Sequence, residues 1–173
     1  MTSVTFEIEV KYKVSDLSSI KKRLREMGAV FVRKVRQVDI YFRHPCKDLA
    51  VSDEALRIRL EEDKSVLTYK GPRVPSKVKV REELSVNVSD AHKLISILSR
   101  MGFAEEVKIV KDREEYALGE IKLCLDTVED LGNFVEIEFP FDNEEELTKL
   151  SRRLGLKDVI KKTYVELLKE SKI

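Results

Sequence analysis

The chain has 173 residues, 38% of them charged, and its 33 basic and 32 acidic side chains leave a formal net charge of +1. That balance excludes bulk electrostatic attachment to nucleic acid or to a membrane surface, so any charge chemistry must come from local clustering. The length fits one domain over residues 1–173, and no apolar run approaches the roughly 20 residues of a membrane span.

The first element is Phe6-Glu7-Ile8-Glu9-Val10-Lys11-Tyr12, whose strict alternation predicts a half-buried β-strand with Glu7, Glu9 and Lys11 on one face. Ser15-Asp16 then caps a helix with Leu17, Ile20, Leu24 and Met27 at helical spacing, closed by Gly28. Gln37 to Phe42 alternates again, placing Gln37, Asp39 and Tyr41 together. A loop from His44-Pro45 to Asp53-Glu54 leads to a strand from Ala55 to Leu60 that carries Arg57 and Arg59. Asp63-Lys64 reads as a hairpin turn into Val66 to Lys70, which Gly71-Pro72 breaks. In Lys77 to Val88, the residues Val78, Val80, Leu84, Val86 and Val88 share the apolar parity, with Lys79, Arg81 and Glu83 on the other and Glu82 as a break or bulge. Ser89-Asp90 opens a second helix that ends at Gly102. Strands carrying Lys111 and Arg113, Ile121 to Asp126, and Phe134 to Phe139 follow, and two helices over 143–154 and 158–169 close the chain.

The chain echoes itself at a fixed offset: Val14-Ser15-Asp16 returns as Val88-Ser89-Asp90, Met27-Gly28 as Met101-Gly102, and Lys34 as Lys108. A duplication would relate the first strand to the one carrying Arg81 and Glu83. Cys46 and Cys124 lack the spacing of a zinc site or a disulfide framework, the N-terminus lacks a signal-peptide pattern, and a cytoplasmic protein is expected.

The polar strand faces sort by sign. Glu7, Glu9, Asp126, Glu136 and Glu138 are acidic, while Lys11, Arg57, Arg59, Lys70, Lys79, Arg81, Lys111 and Arg113 are basic. Open water gives no reason for Arg-x-Arg and Glu-x-Glu pairs over neutral polar residues. If the sheet closes on itself, these charges line its interior, and a charged interior calls for a charged ligand. Guanidinium forks suit an anion with several oxygens, and the carboxylates suit Mg²⁺ or Mn²⁺ bridging to phosphate. A metal-chelated polyphosphate satisfies both sets, whereas a nucleic-acid backbone leaves the carboxylates without a role. The chain has no Gly-rich phosphate loop, nucleophile motif or His-based metal motif.

Glu7-Ile-Glu9-Val-Lys11 resembles the E-x-E-x-K signature of the CYTH superfamily, the triphosphate tunnel metalloenzymes. The resemblance continues in order through Gln37-Val-Asp39-Ile-Tyr41-Phe42, Ala55-Leu-Arg57-Ile-Arg59, Leu67-Thr-Tyr-Lys70-Gly-Pro72, Arg81-Glu-Glu83, Leu125-Asp126, Gly132 to Glu138, and Thr163-Tyr164. It is greatest for the class IV adenylyl cyclase branch; Asp39 stands where the tripolyphosphatase branch tends to carry tyrosine, and Thr163 where serine is commoner. The resemblance implies an α+β fold, an eight-stranded antiparallel β-barrel surrounded by helices. It implies Glu7, Glu9, Glu83, Asp126, Glu136 and Glu138 as metal ligands and the eight basic residues named above as triphosphate binders. Lys11, Asp39, Tyr41 and Lys70 are the candidate catalytic residues, with Asp39 as a possible base. The implied activity is conversion of ATP to cyclic AMP and pyrophosphate. Hydrolysis of thiamine triphosphate or inorganic tripolyphosphate is the alternative, and a non-catalytic polyphosphate-binding module is a reading of another class. A homodimer, with no nucleic-acid or membrane partner, is expected. Crowding of carboxylates leads to the expectation that Glu7→Gln or Glu136→Gln abolishes turnover while stabilising the metal-free fold.

Overall fold

Each alternating stretch becomes a strand with one face on apolar neighbours and the other turned inward. A computed structural model describes residues 5–74, 79–139 and 144–171; the side chains of residues 5–8, 74, 79–80 and 144 lie outside that description. The elements run β1 (Thr5–Val14), α1 (Ser18–Glu26), β2 (Val30–Arg43), β3 (Ala55–Leu60), β4 (Ser65–Val74) and β5 (Lys79–Val88). They continue α2 (Ala91–Arg100), β6 (Ala104–Leu118), β7 (Ile121–Val128), β8 (Gly132–Phe139), α3 (Glu144–Leu154), β9 (Val159–Ile160) and α4 (Tyr164–Ser171). Asp16 accepts from the backbone N–H groups of Ser18 and Ser19 at 3.0 and 3.1 Å, and Asp90 from that of Lys93 at 2.9 Å. The orphan donors of the first two helices are thereby met as the capping residues predict.

The sheet order is β5-β4-β3-β2-β6-β7-β8-β1, every neighbouring pair is antiparallel, and β1 pairs in turn with β5. The order therefore returns to its start, giving the eight-stranded tunnel architecture expected from the sequence. The two-residue β9 adds a ninth strand on β1, pairing at Lys11 and Tyr12. This region was expected to be helical; the helix starts later, at Tyr164, where Thr163 and Glu166 cap each other's backbone N–H at 3.2 and 2.6 Å.

The repeat seen in the sequence is a symmetry of the ring. Exchanging β1, α1, β2, β3 and β4 for β5, α2, β6, β7 and β8 reproduces the same strand order read backwards. Lys34 and Lys108 are 74 apart (108 − 34), and the same offset links Glu7 to Arg81 and Gln37 to Lys111. Both of those last pairs stand directly opposite each other in their ladders, on the pseudo-twofold axis.

Most apolar side chains lie outside the ring, under the helices. Val10, Tyr12, Leu123, Leu125, Val135 and Ile137 pack against Ile20 and Leu24 of α1 and Leu150 and Leu154 of α3. Ile40, Phe42 and Ile58 pack against Ala91 and Leu98 of α2. Three features differ from the sequence reading. Leu84 and Val86, expected to pack under the helices with the rest of their apolar parity, are exposed, because α2 covers neighbouring strands instead. The irregularity placed at Glu82 belongs to β4, where the register shifts between Lys70 and Arg73 across Gly71-Pro72. The closing helix α4 is a third difference. Its Tyr164 and Leu168 pack on Ile109, Val128 and Phe134, which share strand parity with the inward charges, so α4 covers the inner side of β6 to β8. Among the described residues no helix is long and apolar enough to cross a membrane.

Candidate functional site

Because side chains alternate along a strand, every second residue of β1 to β8 points into the ring, and those positions carry the charges sorted above. They enclose a cavity of about 280 Å³ whose lining includes Glu9, Lys11, Asp39, Tyr41, Arg57, Arg59, Lys70, Arg81, Glu83, Lys111, Arg113, Glu136 and Glu138. Thirteen of the sequence-predicted site residues are thus brought to one chamber. Asp126 is fully buried beneath it. The Glu7 and Lys79 side chains lie outside the described residues, though their backbones stand opposite Arg81 and Glu9 in the β1–β5 ladder.

The paired carboxylates and the paired guanidiniums come from opposite sides of the ring. Glu9 and Lys11 come from β1 and Glu136 and Glu138 from β8, whereas Arg57 and Arg59 come from β3, four places round the ring of eight from β8. On the acidic wall Glu9 stands directly opposite Glu138, and Lys11 opposite Glu136. Facing carboxylates on a ladder sit with Cβ atoms about 5 Å apart and repel one another without a cation between them. Lys11 supplies part of that cation, at 3.1 Å from Glu136 and 3.7 Å from Glu9. On the far side of Glu138, Lys122 lies at 3.1 Å.

Beneath this wall lies a buried ion cluster. Asp126 accepts from Lys111 at 3.0 Å, from the Arg113 fork at 2.7 and 2.6 Å, and from the Tyr164 hydroxyl at 2.9 Å. Arg113 also donates to Glu136. Burial by itself raises a carboxyl, but Lys111 and Arg113 outweigh it and hold Asp126 below its ordinary value. Burial, reinforced by the Arg113 charge, lowers the Lys111 ammonium, and burial together with Glu136 and Asp126 pushes the Tyr164 phenol well up. The Tyr164 ring lies under two ammonium groups, 3.9 Å from Lys11 Nζ and 5.0 Å from Lys111 Nζ. Sequence reasoning quoted Tyr164 as part of a motif but gave it no role. Its helix-start position hid that its hydroxyl reaches the buried Asp126.

On the basic wall Arg59 grips Asp39 through a paired contact, Nε to Oδ1 at 2.6 Å and Nη2 to Oδ2 at 2.7 Å, and Arg57 Nη1 lies 3.8 Å from the same carboxylate. Burial works to raise Asp39, yet Arg57 and Arg59 overcome it and keep the carboxyl well below the usual range. A carboxylate held that firmly ionised, with both oxygens engaged, is a poor proton acceptor in the unliganded state. Lys70 pairs with Glu83. Arg81 is directed at backbone, donating to the carbonyls of Gly71 at 2.8 Å and Asp53 at 2.6 Å, so it fixes the β4 irregularity and the 44–54 loop. Arg57 differs from all of these. It is 9% exposed, its Nη2 reaches Thr68 Oγ1 at 3.3 Å, and its buried Nε has no hydrogen-bond partner among the described residues. A buried cationic donor without an acceptor calls for an anion from outside the chain.

For a divalent ion, Glu9, Glu136 and Glu138 offer an all-oxygen donor set, the type preferred by Mg²⁺ and Mn²⁺. The facing Glu9 and Glu138 are the pair such an ion would relieve, so the donor chemistry fits. Among the described residues no three acidic, His or Cys groups already stand in ligand arrangement.

Comparison with known proteins matches residues 5–164 to the CYTH domain model. A Methanocaldococcus jannaschii relative, MJ0240, a candidate adenylate cyclase by name, is 37% identical over 93% of this chain and 97% of its own. Adenylate cyclase CyaB of Aeromonas hydrophila is 30% identical over 87% of this chain and 81% of its own. Among solved structures, the PH1819 protein of Pyrococcus horikoshii superposes with a TM-score of 0.85 at 38% identity, covering 95% of this chain and 98% of that one.

Proposed function

The chain belongs to the CYTH domain family, and from that premise we propose that it is a divalent-metal-dependent enzyme acting on a triphosphate held inside the barrel. The reaction we assign is cyclisation of ATP to cyclic AMP and pyrophosphate, the activity carried in the names of the two relatives. The observation that carries the reading is Arg57, a buried guanidinium short of an acceptor, four strands round from a carboxylate wall inside one cavity. Phosphoryl transfer asks the protein mainly for positioning and for neutralisation of charge on phosphate oxygens, and such a chamber offers both.

In this reading Arg57, Lys70, Lys111 and Arg113 orient the phosphates, and Lys11 stands between the carboxylate wall and the phosphate run. Glu9, Glu136 and Glu138, with Glu7 on the same strand face, would hold the ions. Bound Mg²⁺ or Mn²⁺ would supply Lewis-acid neutralisation of phosphate oxygens. The ribose 3′-hydroxyl attacks the α-phosphorus, the bond to the leaving pyrophosphate breaks, and the hydroxyl proton passes to solvent water for as long as Arg59 holds the Asp39 carboxylate. The carboxylates argue for catalysis over simple binding, because a binding module for polyphosphate needs the cations alone.

The test is incubation of the purified protein and Mg²⁺ or Mn²⁺ with ATP, thiamine triphosphate and inorganic tripolyphosphate, with products resolved by ion-exchange chromatography. The expected result is stoichiometric cyclic AMP and pyrophosphate from ATP. Release of inorganic phosphate without cyclic AMP moves the assignment to a triphosphatase, and no turnover of any of the three contradicts an enzyme.

A further inference from the structure

The basic wall carries an imbalance. Arg57 and Arg59 lie on one strand face about 7 Å apart, and a single inward carboxylate, Asp39, serves both. Asp39 is 2% exposed and stands directly across the ladder from Arg59, so the paired contact is built into the strand register. A guanidinium fork presents the same two parallel N–H donors to a carboxylate as to a phosphate. Arg59 is therefore already in the state that a phosphate would give it, while Arg57 is left 3.8 Å from Asp39 with an unmatched Nε.

We propose that Asp39 is a specificity-determining internal anion that occupies the Arg59 fork in competition with substrate phosphate. An incoming polyphosphate is offered Arg57 and denied Arg59, and it meets a fixed negative charge at that end of the run. A ligand that is phosphate throughout loses most from this arrangement. A triphosphate ester recovers affinity through its organic part, for which Leu49, Ala50, Leu56 and Val165 supply apolar lining in the same cavity. Asp39 thus selects triphosphate esters against inorganic polyphosphate by like-charge repulsion, a device of exclusion as much as of attraction. The inference rests on the triphosphate reading above and deepens it.

The measurement is isothermal titration of wild type and Asp39→Asn with inorganic tripolyphosphate and with ATP, both in EDTA so that no metal turnover intervenes. Competition predicts that Asn tightens tripolyphosphate about tenfold, the worth of one modest charge contact, and tightens ATP by less. Unchanged or weaker tripolyphosphate binding overturns the proposal and makes Asp39 a group that positions Arg59. Equal tightening of both ligands overturns the specificity claim. If wild type binds neither ligand in EDTA nor in a repeat with Ca²⁺ in place of the chelator, it is the triphosphate reading that fails, so the two failures are distinct.

Removing a buried counter-charge also threatens folding, so Asp39→Ser, which leaves room for an external anion, is measured beside it. The melting temperatures of both variants are expected to rise more with added tripolyphosphate than that of wild type. Should neither variant fold alone, recovery on refolding with tripolyphosphate supports the proposal, and no recovery with it contradicts the proposal.

Discussion

Glu136→Gln is expected to lower metal-dependent turnover by about a hundredfold or more, the usual cost of removing one charge-stabilising group from a reaction centre. It is also expected to destabilise the metal-free protein. The sequence reading foresaw a gain in stability, on the view that Glu136 sits in a crowd of carboxylates. In the structure Glu136 is 4% exposed between two cations, Lys11 at 3.1 Å and Arg113 in direct contact. Neutralising it leaves two buried positive charges short of a partner, which costs about 3 kcal/mol or more. Thermal melts in EDTA and initial rates with saturating Mn²⁺ separate the two effects. A variant that is as stable as wild type and fully active removes Glu136 from both the ion cluster and the reaction.

Asp126→Asn is expected to have the largest effect on stability. Asp126 has no exposed surface and gathers Lys111, Arg113 and Tyr164 on its two oxygens. The amide matches the carboxylate in shape but accepts on one side only and carries no charge. Breaking such a buried cluster costs about 3–5 kcal/mol, or on the order of 10 °C in melting temperature for a chain of this size. The sequence reading made Asp126 a metal ligand; in this structure both its oxygens are engaged by Lys111, Arg113 and Tyr164, which makes it the counter-charge of the buried cluster. A shift below about 2 °C contradicts that role.

The barrel was legible because alternation, once recognised, assigns every strand residue to one side or the other. Glu9-x-Lys11, Arg57-x-Arg59 and Glu136-x-Glu138 each place two charges on a single face, and all six line the same cavity. The repeat was legible for a related reason: Gly28 and Gly102 mark equivalent helix ends, with φ of +78° and +92°, values that favour glycine. What alternation does not encode is partnership across strands. Nothing in the linear pattern says that Arg59 pairs with Asp39, that Arg81 turns to the carbonyls of Gly71 and Asp53, or that Asp126 lies below the cavity. Those facts follow from register, which depends on loop lengths and bulges such as the one at Gly71-Pro72. The placement of α4 was hidden in the same way. Tyr164, Val165, Leu167 and Leu168 give it an apolar stripe, but a stripe packs as readily outside a sheet as within a barrel mouth.

If the proposed function holds, phosphates lie between the basic residues of β3 and β4 and the carboxylates of β1 and β8. The most direct measurement is a crystal structure with Mn²⁺ and an ATP analogue whose α,β-bridging oxygen is replaced by methylene. Phosphate oxygens are expected within hydrogen-bond reach of Arg57 Nε and Lys70 Nζ, with an anomalous manganese peak against Glu9, Glu136 and Glu138. A triphosphate bound outside the barrel, with Arg57 still lacking an acceptor, would contradict that placement.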